Sequence, residues 1–304
     1  MTSIIDALGP LFALIGLGAV LGAVRFMPAG FWPQLERLVY FVLFPAMLVS
    51  TLATADISQV PVGRLAVVLL GSMAGFALLL WRLRHWLGLE AAAFTSVFQG
   101  ALRFNTYVGV AGAAALHAGQ GTTVAAVAVA LMVPTVNVIC VTGFVAAGTL
   151  GRAGVRQSVL ALIRNPLILA CLLGAGLNLS GLGLPGWSEG TVTLVGRAAL
   201  PLGLLAVGVA LRLSALLRLS RGVVTAAGVK LVLMPGLALA LAWALQLDPV
   251  SRDVVLLFAA LPTATSAYIL ARQLGGDAEM MAAIITGQTL LAMLTLPLWL
   301  QLAA

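Results

Sequence analysis

Apolar residues run along this chain in long stretches, interrupted only by short joints rich in glycine, proline or charge. The runs fall near 4–24, 34–54, 63–82, 91–116, 121–147, 165–183, 189–211, 222–246, 251–272 and 278–301. Each is close to the roughly 20 residues a helix needs to cross the hydrocarbon of a bilayer. None alternates with a period of two, which argues against a transmembrane barrel. The pattern predicts an all-α polytopic membrane protein of ten transmembrane helices with no soluble domain between them. Composition agrees. Of 304 residues, 62% are hydrophobic and 8% charged, with a mean hydropathy of +1.14. That leaves too little polar surface for a water-soluble globule or a disordered chain.

Charge sets the orientation. With both termini outside, Arg25, Arg37, Arg82, Arg84, Arg152, Arg156, Arg164, Arg212, Arg218, Arg221 and Arg272 fall at inner loops and helix ends, and only Arg64 and Arg252 fall outside. The reverse topology would invert this asymmetry. The net charge of +7 therefore anchors loops at the inner face of a bacterial cytoplasmic membrane, and no nucleic-acid partner is expected. The opening stretch MTSIIDALGP carries no lysine or arginine, so the first run reads as a retained helix and not a cleaved signal. Cys140 and Cys171 sit inside apolar runs, where they form neither a disulfide framework nor a metal site.

The chain also repeats itself. At an offset of 156 residues Pro10 meets Pro166, Gly18 meets Gly174, Gly30 meets Gly186, Pro45 meets Pro201, Leu48 meets Leu204 and Gly119 meets Gly275. This divides the protein into a first five-helix repeat over 1–148, a cytoplasmic connection over 149–164 and a second five-helix repeat over 165–304. An odd number of spans inverts the second copy, an arrangement that places a transport site near mid-membrane, where the copies meet.

Polar interruptions occur at matching places in the two copies. The fourth span holds Arg103, Asn105, Thr106 and Tyr107, followed by Gly109 and Gly112; the ninth holds Pro262, Thr263, Thr265 and Ser266. Broken backbone at membrane depth survives only against protein or a wet cavity. Each break is expected to create a half-helix whose N-terminus, near Tyr107–Gly109 and Thr263–Thr265, presents free N–H groups to a carboxylate. The hydroxyls alternatively serve helix back-bonding and packing. Arg103, near the centre of its span, needs an acidic partner, a wet cavity, backbone carbonyls or a substrate anion. Lys230 either snorkels inward or supplies charge for coupling or anion attraction. Asn137 and Gln288 are uncharged polar groups suited to interhelical hydrogen bonds. All acidic residues, Glu36 among them, fall near span ends, so no buried proton relay is expected. No nucleotide-binding loop, metalloprotease or serine-hydrolase motif occurs, which points away from an enzyme. No cofactor and no metal site are expected.

The stretches RFNTYVG (103–109), MVPTVN (132–137), RNPLILACLLGAGLNLSGLGLP (164–185), RAALPLGLLAVGVALRL (197–213) and LPTATSAYILARQLGGD (261–277) resemble the bacterial auxin efflux carrier family. That family is related to the plant PIN-type carriers and more remotely to bile-acid sodium symporters. The resemblance implies two inverted five-helix repeats with broken, crossing helices 4 and 9 at the substrate site. It also implies a scaffold of the first, second, sixth and seventh helices, a moving transport domain working as an elevator, and a homodimer. By position, Asn105, Thr106, Pro262 and Thr263 form the crossover. Many relatives carry a proline shortly after the Asn-Thr motif. Here the stretch is Val110-Ala111-Gly112, so the first break is expected to rest on Gly109 and Gly112. The implied function is a secondary carrier for a small organic anion, such as a mono- or dicarboxylate or an auxin-like acid. The alternatives are a sodium-coupled bile-acid-type symporter and a non-transporting anion receptor.

Overall fold

A computed structural model of the chain describes residues 2–28, 30–56, 60–150, 154, 156, 160, 163–218 and 220–303. Every longer regular element among them is helical. In chain order these are α1 (Thr2–Ala23), α2 (Phe31–Thr54), α3 (Val62–Leu87), α4 (Ala91–Leu102), α5 (Thr106–Ala146), α6 (Pro166–Leu179), α7 (Gly186–Val209), α8 (Arg221–Ala244), α9 (Pro249–Ala260), α10 (Ser266–Leu274) and α11 (Ala278–Ala303). Arg152 and most of the expected 149–164 connection lie outside the described residues.

Seven segments are long and apolar enough to cross a membrane: α1, α2, α3, the run from α4 through α5, α7, α8 and α11. The shortfall from ten has physical causes. At 14 residues, α6 is short. The ninth apolar run is divided into α9 and α10, of 12 and 9 residues. The α4–α5 run folds back on itself. A straight helix would hold two residues 34 positions apart about 51 Å from each other, yet Arg103 donates to Asn137 Oδ1 across that separation at 3.0 Å. The reversal is the kink at His117 and Ala118, where Ala118 adopts φ 48° and ψ −130°. His117 meets Asp253 of α9 at 2.8 Å and ties the kink down.

Prolines shape the long helices. Pro45 and Pro235 each follow a single wide turn, Val39–Leu43 in α2 and Val229–Leu233 in α8. A proline ring clashes with the carbonyl four residues earlier and cannot bond it, and a local widening relieves the crowding. The carbonyl orphaned by Pro235 is that of Leu231, and Trp299 Nε1 of α11 donates to it at 2.7 Å. In α7 the helix is interrupted at Ala198, shortly before Pro201.

The core is built around α4 and α9. Every residue from Phe94 to Leu102 is buried, as is every residue from Val254 to Pro262. A helix apolar on all sides and surrounded by protein is a core helix. Outward faces of α1, α6 and α7 are lined by exposed apolar side chains such as Leu17, Leu172 and Leu194, as a lipid-facing surface requires. Two helix crossings repeat at the offset seen in the sequence. Gly18 of α1 packs on the backbone of Leu205 in α7, and Gly174 of α6 packs on Val49 in α2. Gly22 approaches Val209, while Asn178 donates to the Ala53 carbonyl at 3.4 Å. In both cases adding 156 to one member and subtracting it from the other converts one contact into its counterpart.

A Cβ at Gly18 would collide with the Leu205 backbone, whereas Gly16 faces open space. Gly18→Val is expected to lower the thermal unfolding midpoint in detergent through overpacking of about 1–3 kcal/mol. Gly16→Val leaves it close to wild type. Size-exclusion thermostability of the purified variants measures both.

Candidate functional site

The two interruptions meet. In the fourth run the helix stops at Leu102, passes through Arg103-Phe104-Asn105 in extended conformation and restarts at Thr106; in the ninth it stops at Ala260 and restarts at Ser266. The backbone N–H of Asn105 donates to the carbonyl of Pro262 at 2.8 Å. Both preceding helices are 12 residues long, about 18 Å.

The first break does not rest on glycine. Gly109 and Gly112 lie within the continuous helix α5. Their role is close approach: a Cβ at Gly109 would lie 2.7 Å from Leu261 and 3.0 Å from Phe258, and one at Gly112 would lie 3.0 Å from Leu257. The two glycines let α5 cross α9. The break itself is held by Asn105, 2% exposed, whose Oδ1 accepts from the Val108 N–H at 3.3 Å as an N-cap. The half-helix therefore begins at Thr106, one residue before the expected Tyr107–Gly109.

The second break is braced from α11. Thr263 is fully buried. Its N–H donates to Gln288 Oε1 at 2.8 Å, and its hydroxyl lies against the same oxygen and the Gly100 carbonyl. Gln288 Nε2 donates to the carbonyls of Gly100 at 2.9 Å and Ala226 at 3.2 Å. A hydroxyl has one proton, so Thr263 donates to one acceptor at a time while Gln288 saturates its remaining neighbours. One amide side chain thus fixes α4, α8 and the ninth-run break together.

What remains unpaired is as informative as what is paired. The first N–H groups of a helix have no intrahelical acceptor. At α5, Val108 is capped by the Asn105 side chain and Gly109 bonds the Asn105 carbonyl, leaving the N–H groups of Thr106 and Tyr107. At α10, Ala267 and Tyr268 bond the carbonyls of Ala264 and Thr265, leaving those of Thr265 and Ser266. These four have no acceptor among the described residues. Thr106, Tyr107 and Thr265 are half-buried and Ser266 is exposed. Thr106 and Thr265 make no back-bond to their own helices, in contrast to Thr289 of α11, which bonds the Ile285 carbonyl at 2.7 Å.

Arg103 joins the two breaks. Its Nη1 donates to Asn137 at 3.0 Å and its Nη2 to Ser266 Oγ at 3.5 Å, while its Nε is buried without a partner. No carboxylate pairs with it among the described residues. Asn137 is oriented for this by its own bond to the Val133 carbonyl at 2.9 Å. Lys230 does not snorkel. It is wholly buried in the wide turn of α8, with Nζ 3.6 Å from Met234 Sδ and 6.0 Å from the centre of the Phe104 ring.

The helix α2 adds a residue that the sequence reading passed over. Tyr107 packs edge-on against Phe44, ring centres 5.0 Å apart. Glu36 lies in the second turn of α2, near the span end where the sequence places it, and is half-buried.

Gln288→Leu removes the brace and leaves the Thr263 N–H and the Gly100 carbonyl short of partners. Each unpaired buried group costs about 1–3 kcal/mol. The variant is expected to lose thermal stability by that order in detergent, and Gln288→Glu by less if its protonated acid replaces one donor. Unfolding midpoints of the two proteins test this.

A family described as membrane transport protein matches residues 152–300. Over 300 residues the chain is 26% identical to a Methanothermobacter thermautotrophicus protein named "Uncharacterized transporter", covering 94% of each. Over 307 residues it is 26% identical to a Rhizobium meliloti protein named "Putative malonate transporter", covering 97% of this chain and 94% of that one.

Proposed function

We propose that this chain, which belongs to the membrane transport protein family of auxin-efflux-carrier type, is a secondary carrier of a small organic anion bound at the crossover of the two broken helices. The observation that carries this reading is the set of four unpaired amides of Thr106, Tyr107, Thr265 and Ser266 beside an arginine with no acidic partner. Helix N-termini and a guanidinium both favour a carboxylate. Thr106 and Thr265 add hydroxyl donors. Asn105, Thr263, Pro262, Gly109 and Gln288 hold the geometry, and Asn137 aims Arg103. Malonate, in the name of one relative, belongs to this substrate class, so short mono- and dicarboxylates and auxin-like aromatic acids are the first candidates.

The same reading takes the ten apolar runs as ten crossings in two inverted five-helix repeats. The paired contacts of Gly18 with Leu205 and Gly174 with Val49 support it, because a pseudo-twofold axis relates such pairs. Both termini face outward, as the arginines favour. Transport then follows from movement of the crossover helices against the group formed by α1, α2, α6 and α7, exposing the site to one side at a time.

Uptake of radiolabelled malonate, succinate, acetate and indole-3-acetate into proteoliposomes tests the function. At least one acid accumulates above protein-free vesicles. Arg103→Gln reduces that uptake about tenfold or more, since a charge-assisted hydrogen bond contributes about 1.5–3 kcal/mol. Asn105→Ala combined with Thr263→Ala abolishes it. Unchanged uptake in the double variant contradicts the site, and no uptake of any acid contradicts the substrate class.

A further inference from the structure

A shallow cavity of about 410 Å³ lies on the outward face of α7, away from the crossover. It is lined by Gly186, Glu189, Gly190, Thr193, Leu194 and Arg197. These residues recur at intervals of three and four, so one face of a single helix makes the whole cavity. Gly186 and Gly190 have nothing within 4 Å of where a Cβ would stand, which gives the cavity its depth. The same helix exposes Leu194 at 69% and Trp187, in its first turn, at 85%. A tryptophan so exposed at the end of an apolar helix marks the level of lipid headgroups. Two opposite charges share the cavity. Glu189 lies in the first turn and Arg197 about two turns deeper, about 12 Å along the axis. Both are exposed. They do not pair with each other, and neither side chain has a partner among the described residues. A guanidinium beside lipid tails is costly to keep without a counter-charge.

We propose that this cavity binds the headgroup of phosphatidylethanolamine, a zwitterionic lipid with a primary amine. In that headgroup the phosphate sits next to the glycerol, and the ammonium stands farther from the bilayer centre. The charges on α7 have the complementary order. Arg197, the deeper of the two, meets the phosphate, and Glu189, at the helix start, accepts from the ammonium. Both contacts are charge-assisted hydrogen bonds. The Thr193 hydroxyl, between them in the cavity, donates to a phosphate oxygen. The bare faces of Gly186 and Gly190 let the headgroup approach the helix. The same arrangement selects among lipids. Phosphatidylglycerol brings the phosphate but no cation, so Glu189 is left unpaired beside a negative charge. Phosphatidylcholine brings a cation without an N–H, so Glu189 gains no hydrogen bond. The site is separate from the crossover and does not depend on which anion is carried.

Native mass spectrometry of the delipidated full-length protein in detergent tests this, with phosphatidylethanolamine, phosphatidylcholine and phosphatidylglycerol of one chain composition titrated separately. Wild type is expected to hold its first phosphatidylethanolamine about tenfold more tightly than either of the others, the difference of one charge-assisted hydrogen bond. Glu189→Gln loses that preference, and phosphatidylglycerol then binds as well as phosphatidylethanolamine. Arg197→Gln weakens all three about tenfold. Gly190→Leu fills the cavity and weakens all three with both charges in place. Each preference is a ratio taken within one variant, so altered stability does not imitate it. Equal binding of the three lipids by wild type, or a preference unchanged in Glu189→Gln, overturns the inference. A dimer that holds no lipid and is separated by Arg197→Gln also overturns it, because a second copy of the chain then covers the face.

Discussion

A hydrogen bond between two broken helices, Asn105 N–H to the Pro262 carbonyl at 2.8 Å, is the constraint on which the rest of this structure depends. Backbone that leaves a helix within a bilayer loses its partners, and hydrocarbon offers no water to replace them. Here each break supplies part of what the other lacks. The remainder comes from a few side chains: Asn105 caps one new helix, and Gln288 reaches from α11 to saturate Thr263 and Gly100. Gly109 and Gly112 bring the elements close enough for this to happen.

The satisfaction is selective, and that selectivity is the link to function. Groups on the protein side of the crossover are sealed: Thr263 and Gln288 are 0% exposed and Asn105 2%. Groups on the opposite side, Thr106, Tyr107, Thr265, Ser266 and Arg103, are reachable and retain unused donors. A site built only for stability would have closed these as well. A concentration of hydrogen-bond donors with one guanidinium and no paired carboxylate among the described residues supports the proposed anion site.

Much of this was legible in the sequence because it rests on chemistry local to the chain. The apolar runs placed the helices to within a few residues, and Pro262 and the Arg-Phe-Asn-Thr stretch marked both breaks, since such residues are expensive in an uninterrupted membrane helix. What was not legible depended on partners far along the chain. Without the packing, Gly109 and Gly112 read as the cause of a break, and only their contacts with Leu261, Phe258 and Leu257 identify them as the surface of a crossing. Lys230 has a stem long enough to snorkel, but its wide turn directs it toward Phe104.

The account is tested most directly by an experimental structure determined with a saturating concentration of a transported acid. The carboxylate is predicted to lie within hydrogen-bond distance of the amides of Thr106 or Tyr107 on one side and Thr265 or Ser266 on the other, with the Arg103 guanidinium beside it. An acid bound elsewhere, with those four amides still unpaired, would contradict the account.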